Sequence, residues 1–406
     1  MAASLSVAVP TDRATGTAPV ARFFVSSDGP ESGPLENIAN NSARESLDSA
    51  ENARFDRWEA RGFLWQESTI IRVRGCGRHS IRPDGSVQVR DNGAAAGFAG
   101  LASCGSVWSC PVCNSKINAV RRLELGVMAS AAETQGMGMA FGAKTIRHRA
   151  DQRLAGLWPH QSSTWNAVTV DKTVRRLRGE LKFLGYVRAA EVTIGLNGWH
   201  PHIHPLYFFA KPVSPWQLQD LHAAEISAWI NKAERLGLQA PLGEAQHLHA
   251  VTGDGAAESL GQYFTKNGTQ AADSVAWELT STQTKTGRRY AKTVSPWILL
   301  AGARTGDADA LDLWREYEKA SKGKRALTYS RGLRKSFGLD VEATDEEVAA
   351  AEVGTRDDAL FEVTDWEPIR RKPRLGAGLL AAVRTSGITG AQRFCVDNAI
   401  ETRQVS

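Results

Sequence analysis

A β-hairpin signal between residues 186 and 209 constrains the fold of this chain more than any other feature. Two runs rich in strand-forming residues, 186–196 and 199–209, flank the dipeptide Asn197-Gly198. That dipeptide is the most favoured sequence for a two-residue hairpin turn. We therefore expect two antiparallel strands that leave the turn at Leu196 and Trp199, and a fold built around an antiparallel sheet.

The second strand of this hairpin carries a His-x-His pattern. Because side chains alternate between the two faces of a strand, His202 and His204 are expected to project from the same face. Counting outward from the turn places Thr193 opposite His202 and Glu191 opposite His204, where opposed Cβ atoms lie about 5 Å apart. Two imidazoles and a carboxylate at one point form a ligand set for a catalytic divalent cation, Mg²⁺ or Mn²⁺.

Two alternatives to this ligand set stay open. His200 has the same parity as the other two histidines of the hairpin and could replace Glu191 as the third ligand, although it lies next to the turn. His247 and His249 form a second alternating pair in another expected strand. That pair lacks a comparably placed carboxylate and a hairpin partner, so we expect it to line the site or to support it.

Four of the five cysteines lie in one short region: Cys76, Cys104, Cys110 and Cys113. Four thiolates suit tetrahedral zinc, with His79 as an alternative ligand. The Cys-x-x-Cys spacing is also typical of redox sites, but no βαβ pattern surrounds it as a thioredoxin-like site would require. An odd cysteine count in a chain with no export signal argues against a disulfide framework. We therefore expect a structural zinc site.

The composition excludes some classes of protein. The chain has 406 residues, of which 42% are hydrophobic, so two or three domains with a substantial core are expected. There is no run of about 18 apolar residues, and the N-terminus has no basic stretch followed by an apolar core. We therefore expect no membrane span, no secretory signal and a cytoplasmic location.

Positive charge is concentrated in two short segments, although the formal net charge of the whole chain is only +5. One segment is 322–335, which has no acidic residue, and the other is 370–374. Such runs usually lie on solvated surfaces, but near a phosphate-directed site they are candidate contacts to a DNA backbone. The candidate DNA-binding residues are Lys324, Arg325, Arg331, Arg334 and Lys335.

A short helix is expected over residues 254–268, in which Tyr263 and Lys266 share one face because they lie three residues apart. A divalent cation beside a tyrosine suits transesterification of a DNA phosphodiester. The phenol would attack phosphorus, giving a 5′-phosphotyrosine and a free 3′-hydroxyl. Since the phenol has a pKa near 10, it needs the cation or Lys266 to favour its phenolate.

Three segments match, in order, the motifs of one family. Residues 141–148 are similar to a first motif, a strand with threonine and a closing histidine, and residues 199–206 to a metal motif. Residues 263–266 match a Tyr-x-x-Lys nucleophile motif. Together they resemble the rolling-circle plasmid replication initiators of the His-hydrophobe-His endonuclease superfamily, in their actinobacterial form. With the Cys-x-x-Cys region and residues 324–333, the resemblance covers roughly residues 70–340.

The resemblance implies an enzyme, a metal-dependent DNA endonuclease and strand-transferase that nicks and rejoins one strand at a plasmid origin. It implies an α+β fold with a central antiparallel sheet and flanking helices, the histidine hairpin at its centre and the nucleophile on a facing helix. The expected partners are plasmid origin DNA, bound as duplex and cut as a single strand, and the host helicase and polymerase.

These signals divide the chain into five expected segments, joining a zinc-binding module and a helical C-terminal region to the catalytic fold. The segments are a disordered leader at 1–65, a cysteine-rich zinc module at 66–130, a catalytic nicking domain at 131–303, a helical basic DNA-contacting region at 304–345, and a tail of uncertain structure at 346–406.

Other functions stay open. A transposase or a relaxase of the same superfamily is the nearest alternative, but relaxases usually place the nucleophile before the histidine motif, whereas Tyr263 follows it. A zinc-containing DNA-binding regulator without catalysis is the alternative from another class, and in it the histidines would be structural.

Two positions depart from the family pattern. Lys144 stands where the first motif usually has an apolar residue, and we expect it at an outward strand position. Related initiators have a glutamate four residues before the nucleophile that activates water in the terminating cleavage, but Ser259 holds that position here. Glu258 lies one residue off the helical face of Tyr263, so another carboxylate or a second DNA exchange could replace it.

Overall fold

The computed structural model describes residues 35–251, 294–339 and 341–405, with side chains from residue 51 onward. Its strands are β1 (Val87–Asp91), β2 (Ala96–Ala99), β3 (Gly138–Thr145), β4 (Phe183–Gly195), β5 (Gly198–Phe209), β6 (His247–Ala250), β7 (Leu327–Tyr329), β8 (Ala359–Val363) and β9 (Thr402–Arg403). Its helices are α1 (Leu35–Glu67), α2 (Ile71–Gly75), α3 (Pro111–Thr134), α4 (Leu154–Val170), α5 (Lys172–Glu180), α6 (Pro215–Arg235), α7 (Pro296–Arg304), α8 (Ala308–Ser321), α9 (Leu333–Ser336), α10 (Asp345–Ala350), α11 (Glu367–Arg371) and α12 (Arg374–Asp397). None of these helices combines the length and the apolar character that crossing a bilayer requires.

The predicted hairpin is formed by β4 and β5 and lies inside a five-stranded sheet with the order β6-β3-β5-β4-β7. All four neighbouring strand pairs of this sheet are antiparallel. A second antiparallel sheet has the order β2-β1-β8-β9. The predicted α+β class, with a central antiparallel sheet and flanking helices, is therefore confirmed.

The turn of the hairpin differs from the predicted one. Gly195 pairs with Gly198, so Leu196 and Asn197 form the loop. Gly198 has a left-handed backbone (φ 78°), whereas neither loop residue is among the described non-glycine residues with positive φ. A type I′ turn over Asn197-Gly198 would need positive φ at both residues, while a type I turn followed by a G1 bulge needs it only at the glycine.

This turn corrects the predicted register by two residues. Glu191 lies opposite His202, not His204, and Thr193 lies opposite His200. Because side chains alternate with a period of two, a shift of two positions leaves every side chain on its predicted face. The predicted convergence of Glu191 with the two histidines therefore survives the correction.

The five-stranded sheet is covered on both faces. On one face, Met139, Leu206 and Phe208 pack against Leu125 and Met128 of α3. The other face shares a core with helices α4 and α6, and this core contains Ala140, Ile203, Tyr207 and Phe209 from the strands and Trp165, Leu221 and Trp229 from the helices. The central strands consequently have no solvent-facing side along most of their length.

The predicted outward position of Lys144 is wrong, since its side chain is fully buried on the face covered by α6. Its Nζ lies 3.3 Å from Oε2 of Glu225 and 3.0 Å from Nδ1 of His222. Arg178 and the hydroxyl of Tyr207 each donate to Oε1 of Glu225 at 2.9 Å. Burial alone raises the pKa of Glu225, but the two neighbouring cations outweigh it and hold that pKa below its usual value.

The second sheet brings together segments that are far apart in sequence. Val89 of β1 lies opposite Phe361 of β8, and β8 also pairs with β9. The core of this unit contains Trp58, Val87, Val89, Phe361, Ile369, Leu379 and Val383. The segment 346–406, whose structure the sequence left open, thus forms β8, β9, α11 and α12 against the cysteine-rich region.

Two segment expectations need correction. The expected disordered leader at 1–65 extends too far, because α1 is helical from Leu35 and buries Leu64 and Trp65 in the core. The large apolar residues of α1 are concentrated in its last turns. Because the residues before them are mostly polar, the sequence pattern did not predict a helix there. The basic region 304–345 is not helical throughout, because β7 joins the central sheet by pairing with β4.

Glu225→Gln is expected to lower the free energy of unfolding by about 3–5 kcal/mol, because Lys144 and Arg178 would remain buried without a counter-charge. Urea denaturation measures the change. The control is Glu180→Gln, which breaks the exposed pair with Arg176 and should cost less than about 0.5 kcal/mol. Equally small losses in both variants would contradict a strongly coupled buried network.

Candidate metal centre

Glu191, His202 and His204 come together on one face of the hairpin. Oε2 of Glu191 is 2.8 Å from Nε2 of His202 and 3.0 Å from Nε2 of His204. The ligand atoms of these residues all lie within 4.8 Å of one another. Adjacent ligands of an octahedral cation with bonds of about 2.1 Å are about 3 Å apart. Two of the three separations match that spacing and the third is within 4.8 Å, so the three residues are close enough to share one cation.

Backbone carbonyls orient both imidazoles. Nδ1 of His202 is 3.2 Å from the carbonyl oxygen of His200, and Nδ1 of His204 is 3.3 Å from that of Gly142. Since a carbonyl oxygen only accepts, each Nδ1 carries the hydrogen and each Nε2 presents its lone pair. Two lone pairs and a carboxylate oxygen facing one another repel unless a proton or a cation lies among them. The donor set therefore fits a divalent metal ion.

Glu191 is the anionic member of the group. Burial by itself raises the pKa of Glu191, but its close contacts with the imidazoles of His202 and His204 outweigh burial and hold the pKa below its usual value. Its side chain is 22% exposed, against 12% for His202 and 7% for His204. The carboxylate is thus ionised at neutral pH and borders solvent, where a phosphate oxygen could complete the coordination shell of a cation.

His200, the alternative third ligand, has a different partner. Its Nδ1 is 2.7 Å from Nε2 of His148, and Nδ1 of His148 is 2.9 Å from the carbonyl oxygen of Asn197. Burial, followed by the charges of His202 and His148, lowers the pKa of His200 to about 4. The closing histidine of the first motif thus holds the hairpin turn. The position of His148 in the first motif was the one sequence indication of a role. No sequence pattern predicted its contacts with His200 and Asn197.

His247 and His249 lie on β6, at the edge of the same sheet. His247 pairs with Ala143 of β3, and the two imidazole rings stack with centroids 5.2 Å apart. Within the described ranges, neither histidine belongs to the ligand group. Burial, followed by the charges of His249 and His204, lowers the pKa of His247.

A cleft opens beside the candidate metal group, which consists of Glu191, His202 and His204. Its walls include Glu191, His204, Asn118, Arg121, Trp297 and Tyr317. Burial, reinforced by the negative charge of Glu191, raises the pKa of Tyr317. This phenol therefore stays protonated and is a poor nucleophile. The sequence contains no signal that α3 and α8 would wall the site, because these contacts arise only in the folded chain.

The four predicted zinc ligands also converge. Sγ of Cys76 is 3.5 Å from Sγ of Cys113 and 3.7 Å from that of Cys110, while Cys104 is 3.6 Å from Cys113. Four sulfurs that surround zinc at about 2.3 Å in a tetrahedron are about 3.8 Å apart. All four thiols are free and buried, so the cluster could hold zinc. His79 is not a member of it.

The remaining predicted residues separate into two groups. Tyr263, Lys266 and Glu258 lie outside the described residues. Of the basic candidates, Lys324, Arg325, Arg331 and Lys335 are exposed. Arg334 is different, because its guanidinium lies 3.0 Å from Glu124 and 5.0 Å from the ring centre of Tyr329. This internal ion pair removes Arg334 from the predicted DNA-contacting surface.

Two curated proteins were found to be similar to this chain. Protein rep of Streptomyces lividans is 27% identical over 302 residues, covering 59% of this chain and 65% of that protein. The chain is similar to a Rep protein. This finding confirms the predicted resemblance to plasmid Rep proteins, and the chain spans less than two thirds of that relative.

The second similar protein is the Neomycin resistance protein of Streptomyces cyanogenus, which is 31% identical over 151 residues. That match covers 30% of this chain and 34% of the relative. No protein-family model and no solved structure matches the chain.

Cys110→Ser is expected to reduce bound zinc from one equivalent to well below half, because the tetrahedral site loses one of four thiolates. Zinc content after gel filtration, measured by mass spectrometry, reports the loss, and the melting temperature should fall with it. The control is Cys395→Ala, since Cys395 is buried but lies outside the cluster. A folded Cys110→Ser protein with full zinc content would refute the four-cysteine site.

Proposed function

We propose that this protein initiates rolling-circle replication of a plasmid by nicking and rejoining one DNA strand at the origin. The observation that carries the proposal is the convergence of Glu191, His202 and His204 with the spacing of cation ligands. The similarity to Protein rep of Streptomyces lividans supports a role in replication. The order of the three motifs, with the tyrosine last, favours an initiator of the His-hydrophobe-His superfamily over a relaxase.

In this proposal His202, His204 and Glu191 hold Mg²⁺ or Mn²⁺, which would neutralise charge on the nonbridging oxygens of the scissile phosphate. Tyr263 is the nucleophile. Its phenolic oxygen forms a bond to phosphorus while the bond from phosphorus to the 3′ oxygen breaks. The phenol releases its proton and the departing 3′ oxygen takes one up, so the products are a 5′-phosphotyrosine and a 3′-hydroxyl.

The reverse reaction rejoins the strand, because a 3′-hydroxyl can attack the phosphotyrosine and release the phenol. Lys266 stabilises the phenolate through its positive charge. Glu258 is the acidic residue nearest in sequence that could activate water to end the cycle. A second strand transfer would make that hydrolysis unnecessary.

The substrate at the point of cleavage is single-stranded or extruded, because a phosphate held in a B-form duplex does not reach a recessed metal group easily. The cleft beside Glu191 and His204 is the proposed path of this strand. The exposed residues Lys324, Arg325, Arg331 and Lys335 are proposed to contact the backbone of the origin duplex. Host helicase and polymerase would then act on the nicked plasmid in the cytoplasm.

Incubation with a single-stranded origin oligonucleotide and Mn²⁺ tests the chemistry. The protein should form a covalent adduct at Tyr263 whose mass equals that of the protein plus the 5′-phosphorylated fragment less one water. Tyr263→Phe should form none, because phenylalanine has no nucleophilic oxygen. Tyr329→Phe is the matched control, since its hydroxyl donates to Glu124 and not to the metal group. An uncut oligonucleotide with retained duplex binding would support a regulator instead.

His202→Ala should lower the cleavage rate by about 100-fold or more, since losing a metal ligand costs at least as much as losing an outer partner of one. Mn²⁺ affinity, measured by calorimetry, should fall with the rate, while affinity for origin duplex stays within about twofold. His249→Ala is the control, because His249 belongs to the second histidine pair, which lies outside the candidate ligand group. If His202→Ala lost duplex binding as strongly as cleavage, the proposal that His202 acts in cleavage and not in duplex binding would be wrong.

A further inference from the structure

A cationic cavity of about 240 Å³ lies next to the cysteine cluster. Its basic lining residues are Arg54, Arg57 and Arg61 of α1 and Lys116 of α3. The three arginines are spaced by three and four residues, so they share one face of the helix. None of the metal-centre residues lines this cavity.

Arg61 is the deepest of these residues, with only 3% of its surface exposed. Its guanidinium carbon lies 3.8 Å from the ring centre of Trp58. Gly77 makes room for it, because a Cβ at that position would come within 2.2 Å of its Nη1. Its Nε and Nη2 are buried and have no hydrogen-bond partner among the residues that the structure describes.

Buried guanidinium N–H groups without acceptors are costly, because they lose their water and gain no hydrogen bond in return. Glu352 also lines the cavity, but it is engaged by Arg90 at 3.0 Å and by the backbone N–H of Gly100 at 2.7 Å. Cys76 and Cys113 line it as well, but neither accepts a hydrogen bond from the unpartnered nitrogens of Arg61. The described part of the chain therefore supplies no acceptor for these two nitrogens.

The charges of the neighbouring residues also favour an anion in this cavity. Burial, followed by the positive charges of Arg384 and Arg57, lowers the pKa of Arg54 to about 10, with Glu51 acting against them. Lys116 donates to the carbonyl oxygens of Ala349 and Ala351 at 3.3 Å, and these bonds fix the ammonium without neutralising it. An anion in the cavity would both reduce this repulsion and accept hydrogen bonds from Arg61.

We propose that this cavity binds a phosphate group, with the guanidinium of Arg61 as its buried donor and Arg54 and Arg57 at its entrance. A planar guanidinium presents several N–H groups in an arrangement that matches two phosphate oxygens. The phosphate could belong to a DNA backbone, which would rest on the proposed function, or to free phosphate. The two sources share one recognition chemistry, and two measurements separate them.

The first measurement is the melting temperature of the zinc-loaded full chain during titration with inorganic phosphate, with chloride adjusted to constant ionic strength. A ligand that binds only the folded state stabilises it by RT ln(1 + [L]/Kd), so the melting temperature rises with ligand concentration. The rise in melting temperature should be at least halved in Arg57→Gln and Arg61→Gln. Arg235→Gln, an exposed position at the end of α6 outside the cavity, controls for charge and for the general stabilising effect of phosphate.

The second measurement is the affinity for duplex DNA over a range of salt concentrations. Loss of one phosphate contact lowers the slope of log affinity against log salt by about one, whatever the DNA sequence. A lower slope in Arg57→Gln but not in Arg235→Gln assigns the site to DNA backbone. An unchanged slope with a reduced response to inorganic phosphate assigns it to free phosphate.

The proposal fails if Arg57→Gln and Arg61→Gln match Arg235→Gln in both measurements. Arg57 is half-buried, so Arg57→Gln keeps the test decisive even if Arg61→Gln does not fold. Neither measurement uses strand cleavage, so failure here is distinct from failure of the nicking proposal.

Discussion

The antiparallel pairing of β4 with β5 is the interaction on which the metal centre depends. Glu191 reaches His202 and His204 only because one register places them on the same face. A slip of a single residue would send one strand's side chains to the opposite face. The left-handed Gly198 fixes the start of the pairing, and the buried Ile203 resists such a slip from the other side of the sheet.

The sequence predicted the membership of both candidate metal groups but not the details of their surroundings. Parity along a strand is a local property, so the shared face of His202 and His204 followed from the residue count alone, and Glu191 shares that face because the predicted and observed registers differ by two. The register was wrong because Asn197-Gly198 is compatible with two turn types, and backbone angles decide between them. The four cysteines were grouped correctly because their spacing is itself a strong signal.

Other features depend on contacts that no local pattern contains. Lys144 is buried because α6, which lies far along the chain, supplies Glu225 directly to its ammonium group. The end of α1 and the C-terminal segment form a core together, and neither has a strong signal when considered alone. His148 contacts the hairpin turn through a loop whose path the sequence does not specify. Long-range pairing therefore accounts for most of the unpredicted structure.

The pairing of β1 with β8 links an early part of the chain to a late one. During synthesis the ribosome exposes β1 long before its partner strand exists, so this sheet cannot be completed until translation is nearly finished. The five-stranded sheet, whose last strand is β7, is available earlier. Premature termination after residue 329 and before residue 359 would therefore spare every described strand of the histidine-bearing sheet and leave one edge of the β1–β2 ribbon exposed as a site for aggregation.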